Sequence, residues 1–166
     1  MFQNRFKSLD KVVARLTNRY DIFFPVNVNE LAEKMNIEIL SVDCDPEIDG
    51  FCFYTADGSP QIVVNDNTNI PEYRKRWTIT HEIGHVRYRE EQAICWYENE
   101  YISTNHEVER WCDMFAAKIL MPSTDVTHIY DSLRIYSYRQ KLSSMAVIFN
   151  VSKQAMGIRL KELNLV

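Results

Sequence analysis

One short stretch, His81-Glu82-Ile83-Gly84-His85, decides how this chain folds, because it is an HExxH pattern. Residues four positions apart lie on the same face of a helix, so His81 and His85 can both direct a ring nitrogen at one zinc ion. Glu82 would then lie beside the metal, where its carboxylate can take a proton from a water molecule. The stretch therefore predicts a helix that carries two metal ligands and a catalytic base.

The predicted helix runs from about Pro71 to about Arg89, and proline suits its first turn. Its apolar positions are Trp77, Ile79, Ile83 and Val86. Gly84 lies inside this helix, where glycine costs about 1 kcal/mol relative to alanine. A close approach of a neighbouring backbone at the site would explain a glycine at this position.

A third ligand is needed, since catalytic zinc sites usually take three protein ligands and leave a fourth position for water or substrate. The metzincin continuation is excluded, because Tyr88 and Glu91 stand where that class has glycine and histidine. Glu109, near the start of the next predicted helix, would complete a His₂Glu set. Asp113 follows one turn later and can accept a hydrogen bond from a ligating histidine ring.

Two other residues compete for roles at this site. Glu107 is the rival third ligand, but it faces about 160° away from Glu109 on an ideal helix. The Thr104-x-x-Glu107 spacing also has the form of a capping box, which gives Glu107 another role. Cys112 lies one turn from Glu109, and packing is the preferred interpretation of it. Exposed helices often carry His and Glu without metal, so the set is a hypothesis.

The segments before the motif predict two helices and three strands. Apolar spacing indicates a helix over residues 9–20, and Asn27 or Asn29 can cap a short helix after Pro25. Residues 37–42, 51–55 and 61–65 have strand character, and a turn at 57–60 joins the last two as a hairpin. We expect a small, mostly antiparallel sheet with helices on one side.

The segments after the motif are predicted to be helical. Residues 90–103 look like a loop or an irregular helix, and the helix with Glu109 should end at Met121-Pro122. Further helices are expected from about residue 123, around residues 142–149, and after Ser152, which can act as a cap. The predicted fold is α+β, with a zincin-like core over 1–122 and a helical C-terminal subdomain over 123–166 packed on it, or one domain throughout.

The composition fits a compact globular protein of 166 residues, 46% hydrophobic and 25% charged. A net charge of −4 argues against a general nucleic-acid binder. No apolar run approaches the ~20 residues that cross a bilayer, and the N-terminus lacks the apolar segment of a secretory signal. The four cysteines form no CxxC pair and indicate reduced thiols. We therefore expect a cytoplasmic protein.

Three segments together resemble the ImmA/IrrE-type metallopeptidases. They are residues 77–85 (W-T-I-T-H-E-I-G-H), 109–122 (E-R-W-C-D-M-F-A-A-K-I-L-M-P) and 149–156 (F-N-V-S-K-Q-A-M), the last followed by Arg159-Leu160 and Leu163. The similarity spans roughly residues 25–165. Relatives often have Ala-Asn where this chain has Cys112-Asp113, but aspartate can still accept a hydrogen bond from a histidine ring.

The resemblance implies a zinc site formed by His81, His85 and Glu109, with Glu82 as the catalytic base. It also implies a usual partner, a helix-turn-helix transcriptional repressor that is cleaved or inactivated. The predicted function is a zinc-dependent endopeptidase acting on such a repressor. Mn²⁺ or Fe²⁺ can occupy the same ligands.

The alternative function is a metal-containing regulatory binding protein that does not cleave, such as an anti-repressor or a toxin–antitoxin component. Two further points stay open in the sequence. The residues after position 142 resemble a helix-turn-helix, but their surplus of only two positive charges favours packing over DNA contact. The group that stabilises the oxyanion is not identified, and the candidates are His106, His128, Tyr130 and Tyr88.

Overall fold

A computed structural model describes residues 2–92 and 106–166. Within these ranges lie seven helices and three strands: α1 (Phe2–Tyr20), α2 (Val28–Lys34), β1 (Glu38–Val42), β2 (Gly50–Tyr54), β3 (Pro60–Asn65), α3 (Glu72–Gln92), α4 (His106–Leu120), α5 (Ser123–Ser132), α6 (Tyr138–Ile148) and α7 (Lys153–Glu162). Most of the segment predicted as a loop or irregular helix lies outside the described residues, as do Thr104 of the capping box and Cys95.

Three helix boundaries lie where local signals predicted them. Asn27 caps α2, since its side-chain oxygen accepts hydrogen bonds from the backbone N–H groups of residues 29 and 30, both at 3.2 Å. Ser152 caps α7 in the same way and accepts from the Ala155 N–H at 3.0 Å. Helix α4 ends at Leu120, two residues before Pro122. These predictions are confirmed.

The three strands form one sheet in the order β1-β3-β2. The predicted hairpin is confirmed, because β2 pairs antiparallel with β3. Strand β1 pairs parallel with β3, so the sheet is mixed rather than mostly antiparallel. The apolar strand β3 takes the central position because Ile62, Val63 and Val64 are all buried, whereas β1 and β2 are partly exposed. The predicted α+β class with a three-stranded sheet on helices is confirmed.

One continuous cluster of buried apolar side chains joins the two halves of the chain. It includes residues of α1, the sheet, α3, α4, α6 and α7, among them Leu9, Leu16, Ile62, Ile83, Phe115, Met145 and Leu160. Arg159 of α7 is only 3% exposed and donates from Nε to the Met121 carbonyl at 3.0 Å. The C-terminal helices therefore pack on the remainder of the molecule, and a domain boundary at residue 122 stays a prediction. Among the described helices, none is long and apolar enough to cross a membrane.

Candidate metal centre

Helices α3 and α4 approach each other closely at Gly84. A Cβ atom at this position would lie 3.2 Å from both Cα and Cβ of Cys112 and 3.3 Å from Cδ1 of Phe115. The close backbone approach that the sequence predicted for this glycine is therefore confirmed. It places the histidine face of α3 directly opposite the first turns of α4.

The side chains of His81, His85 and Glu109 meet between the two helices. The Nε2 atoms of the histidines are 3.1 Å apart. Oε2 of Glu109 lies 3.1 Å from Nε2 of His81, and Oε1 lies 3.3 Å from Nε2 of His85. Ligand atoms bound tetrahedrally at about 2.0–2.2 Å are separated by roughly 3.3 Å, so this spacing fits one zinc-sized ion.

The Glu109 carboxylate supports the same conclusion. Its Oε1 atom is buried and has no hydrogen-bond partner among the residues that the structure describes. A buried carboxylate oxygen without a partner is costly, and a cation in contact with it would remove that cost. Of the two acidic candidates on α4, Glu109 is the one whose contacts with both ring nitrogens are observed.

Asp113 orients the first histidine. Its Oδ1 lies 3.0 Å from Nδ1 of His81, and because a carboxylate only accepts, the ring N–H donates. This hydrogen bond leaves Nε2 of the neutral ring free to face the centre. Burial would lower the pKa of His81, but the hydrogen bond to Asp113 and the charges of Glu82, Asp113 and Glu109 outweigh it and raise the pKa. The sequence had assigned Asp113 this position.

His85 is held in its neutral form. Its side chain is 8% exposed, and this burial, with the nearby charge of His81, lowers the pKa of His85 to about 4. A neutral imidazole is the form that binds a metal ion, so His85 is ready to act as a ligand at neutral pH.

Glu82 occupies a buried position beside the histidines. Burial raises the pKa of its carboxyl, and Glu109 adds to this effect, while His81 and hydrogen bonds from Cys52 lower it. A buried carboxylate with a raised pKa is suited to accept a proton and to return it.

Strand β2 runs alongside the HExxH helix. Alternate residues of a strand point to the same face, and here three of them meet α3. A Cβ at Gly50 would lie 2.7 Å from Cγ2 of Thr78, and the Arg89 guanidinium stacks 3.8 Å from the centre of the Tyr54 ring. Between them, Cys52 is close enough to Glu82 to lower the pKa of its carboxyl. The strand was predicted from its aromatic residues, but its proximity to Glu82 was missed, because strand-to-helix pairing leaves no local signal.

Cys112 lies at the same centre. It is fully buried, as its predicted packing role requires. Its sulfur also forms a group with His81 and His85, in which one ligand atom of each residue lies within 4.8 Å of the others. Packing was the interpretation preferred for this thiol from the sequence, over a role as a metal ligand.

The four candidates for the oxyanion group are placed differently. Tyr88 is buried, with its ring centre 5.3 Å from that of Trp111. Nζ of Lys141 lies over the Tyr130 ring, 3.8 Å from its centre. These two rings are used in packing contacts, whereas His106 and His128 are exposed. No contact singles out one of them, so the oxyanion group stays a prediction.

An HExxH helix packed against a second helix that brings a carboxylate to both histidines is the arrangement of an HExxH metallopeptidase. Comparison with protein families agrees. Residues 32–161 match the IrrE N-terminal-like domain, Peptidase_M78, and the chain belongs to this metallopeptidase family. No curated protein matches the chain.

Proposed function

We propose that this protein is a metal-dependent endopeptidase in which His81, His85 and Glu109 hold one divalent ion and Glu82 is the catalytic base. The observation that carries the proposal is the mutual contact of the two Nε2 atoms and the Glu109 carboxylate, all at 3.1–3.3 Å. Family membership implies a metallopeptidase independently of this geometry.

The ion is proposed to be zinc, which favours nitrogen and carboxylate ligands in a tetrahedral arrangement. Mn²⁺ and Fe²⁺ are accepted by the same groups, so the ligand set alone does not select among them. When bound, such an ion lowers the pKa of water and polarises a carbonyl group.

Glu82 then performs the proton transfers. It accepts a proton from the attacking water as the new C–O bond forms at the scissile carbonyl, and it delivers that proton to the leaving amine as the C–N bond breaks. Asp113 holds the His81 ring in the tautomer that presents Nε2. The burial of Glu82 keeps the carboxylate away from bulk water during both steps.

Strand β2 is proposed to receive the substrate. It is an edge strand in the described sheet, since it pairs only with β3. An extended peptide can add to a free strand edge through main-chain hydrogen bonds, and Cys52 of this strand is close enough to Glu82 to influence the pKa of its carboxyl. Next to Asp113, a cavity of about 570 Å³ between α3, α4 and α7 has apolar side chains such as Trp77 in its wall. Both features suit a polypeptide substrate.

We further propose that the substrate is a helix-turn-helix repressor, on the strength of the family resemblance. Direct DNA binding is not part of the proposal. Of the three basic residues counted near the C-terminus, Arg159 is buried and pairs with Glu162 at 2.7 Å. Lys153 and Lys161 remain exposed, which is few phosphate contacts for DNA. Cytoplasmic location stays a prediction.

The test is incubation with purified helix-turn-helix repressors from the same organism, followed by intact mass spectrometry, with casein as a general unfolded substrate. The zinc-loaded protein should release defined fragments, and a chelator should prevent this. Glu82→Gln should bind zinc normally and lose nearly all turnover, because the amide cannot accept the proton. Full activity of that variant would remove the catalytic assignment. A stable complex without cleavage by the wild type would favour the non-cleaving regulatory protein.

A further inference from the structure

Cys112 lies close to the two histidines of the candidate centre. Its thiol is fully buried, and its sulfur is grouped with ligand atoms of His81 and His85 within 4.8 Å. In a tetrahedral zinc site, sulfur at about 2.3 Å and nitrogen at about 2.0–2.1 Å are separated by roughly 3.6 Å. The observed limit of 4.8 Å is about 1.2 Å above this separation, so the sulfur lies near the range in which it could share an ion with the two rings.

The backbone holds the sulfur in this position. Cys112 follows Glu109 by one helical turn, so both residues lie on the side of α4 that faces the histidines. The contact at Gly84 brings Cα and Cβ of Cys112 within 3.2 Å of where a Cβ would stand on α3. A thiol grouped with ligand atoms of two histidines differs from an isolated buried cysteine. The same histidines also contact Glu109, whose Oε1 lies 3.3 Å from Nε2 of His85 and has no hydrogen-bond partner among the described residues.

We propose that Cys112 coordinates the ion held by His81 and His85, giving the resting site sulfur ligation and a preference for thiophilic ions such as zinc and cadmium over manganese. The inference rests on the metal site of the proposed function. The S–H proton passes to solvent as the sulfur–metal bond forms. Soft thiolate ligands select such ions, whereas carboxylate and water suit manganese.

This ligand would also change the state of the site. If Glu109 and Cys112 both joined the two histidines, they would give the ion four protein ligands, which is the closed shell of structural zinc sites. A catalytic site keeps one position open, so the sulfur has to leave before a substrate carbonyl can enter. Cys112 then acts as an internal competitor of the substrate.

Cobalt spectroscopy tests the inference without any measurement of activity. The protein is loaded with one equivalent of Co²⁺, and the near-ultraviolet spectrum is searched for a thiolate-to-cobalt charge-transfer band. A variant that keeps Cys112 but carries serine at Cys44, Cys52 and Cys95 should show this band at full strength. Cys112→Ser and Cys112→Ala should lose it while the visible cobalt bands of the remaining ligands persist. Cys44→Ser is the matched single control.

Three results would overturn the inference. Stoichiometric Co²⁺ binding without the band shows that the sulfur is not a ligand and leaves the proposed function standing. If the band survives in Cys112→Ser but disappears in Cys52→Ser, the sulfur ligand is Cys52 and the inference about Cys112 is wrong. Absence of any Co²⁺ binding contradicts both the inference and the metal site of the proposed function.

Discussion

Replacing Gly84 by alanine tests the close contact between α3 and α4 at this residue. Alanine in a helix interior gains about 1 kcal/mol over glycine. The added Cβ would lie 3.2 Å from the Cys112 backbone and 3.3 Å from the Phe115 ring. Overpacking of this kind costs about 1–3 kcal/mol, and a helix backbone yields less readily than a flexible side-chain end. We therefore expect Gly84→Ala to lose the gain that alanine normally brings.

Gly157→Ala is the matched control, because Gly157 is also inside a helix but has room. Its nearest neighbours to an added Cβ are side-chain atoms at 3.7 and 3.8 Å, which is ordinary contact. This variant should be more stable than the wild type by about 0.5–1 kcal/mol. Urea unfolding should then place Gly84→Ala about 1–3 kcal/mol below Gly157→Ala. Equal stabilisation by both substitutions would refute the close approach and the placement of α4 built on it.

Three further predictions concern single side chains. Asp113→Ala should weaken zinc binding about 10–100-fold, since the His81 ring loses its orienting partner. Competition with a chelating dye measures the zinc affinity, and an unchanged affinity would contradict the orienting role of Asp113. Asn65→Ala should destabilise the protein by about 2–4 kcal/mol. The buried side-chain amide of Asn65 forms hydrogen bonds with backbone groups of Cys44, Asp45, Ile48 and Asn67. A loss below about 1 kcal/mol in urea unfolding would show that this network contributes little. Ser152→Ala should lower the free energy of unfolding by about 1 kcal/mol and Tm by about 2–4 °C, as removal of a helix cap does. An unshifted Tm in calorimetry would show that the Ser152 cap does not stabilise the protein.

Much of the fold could be predicted from local signals in the sequence. The HExxH spacing, the cap at Ser152 and the stop at Pro122 depend on residues within about one helical turn of each other. Each of them is readable in the sequence, and the structure contains the corresponding helix boundaries. The close approach at Gly84 was also expected, because glycine in a helix interior needs a reason.

Long-range pairings could not be read in the same way. Nothing local to residues 38–42 indicates that β1 pairs parallel with β3 instead of following the hairpin direction. The contact of Cys52 with Glu82 joins residues 30 positions apart, and the approach of Cys112 to His81 joins residues on separate helices. The sequence identified the chemical groups of the site, but packing determined which thiols accompany them.

The position of a bound metal ion tests the central claim most directly. A crystal of the protein grown with zinc, measured at the zinc absorption edge, should give one strong anomalous peak between α3 and α4. The account predicts that Nε2 of His81, Nε2 of His85 and a carboxylate oxygen of Glu109 each lie about 2.0–2.2 Å from it. A zinc-saturated crystal with no peak there, or with Glu109 turned away from the ion, would contradict the account.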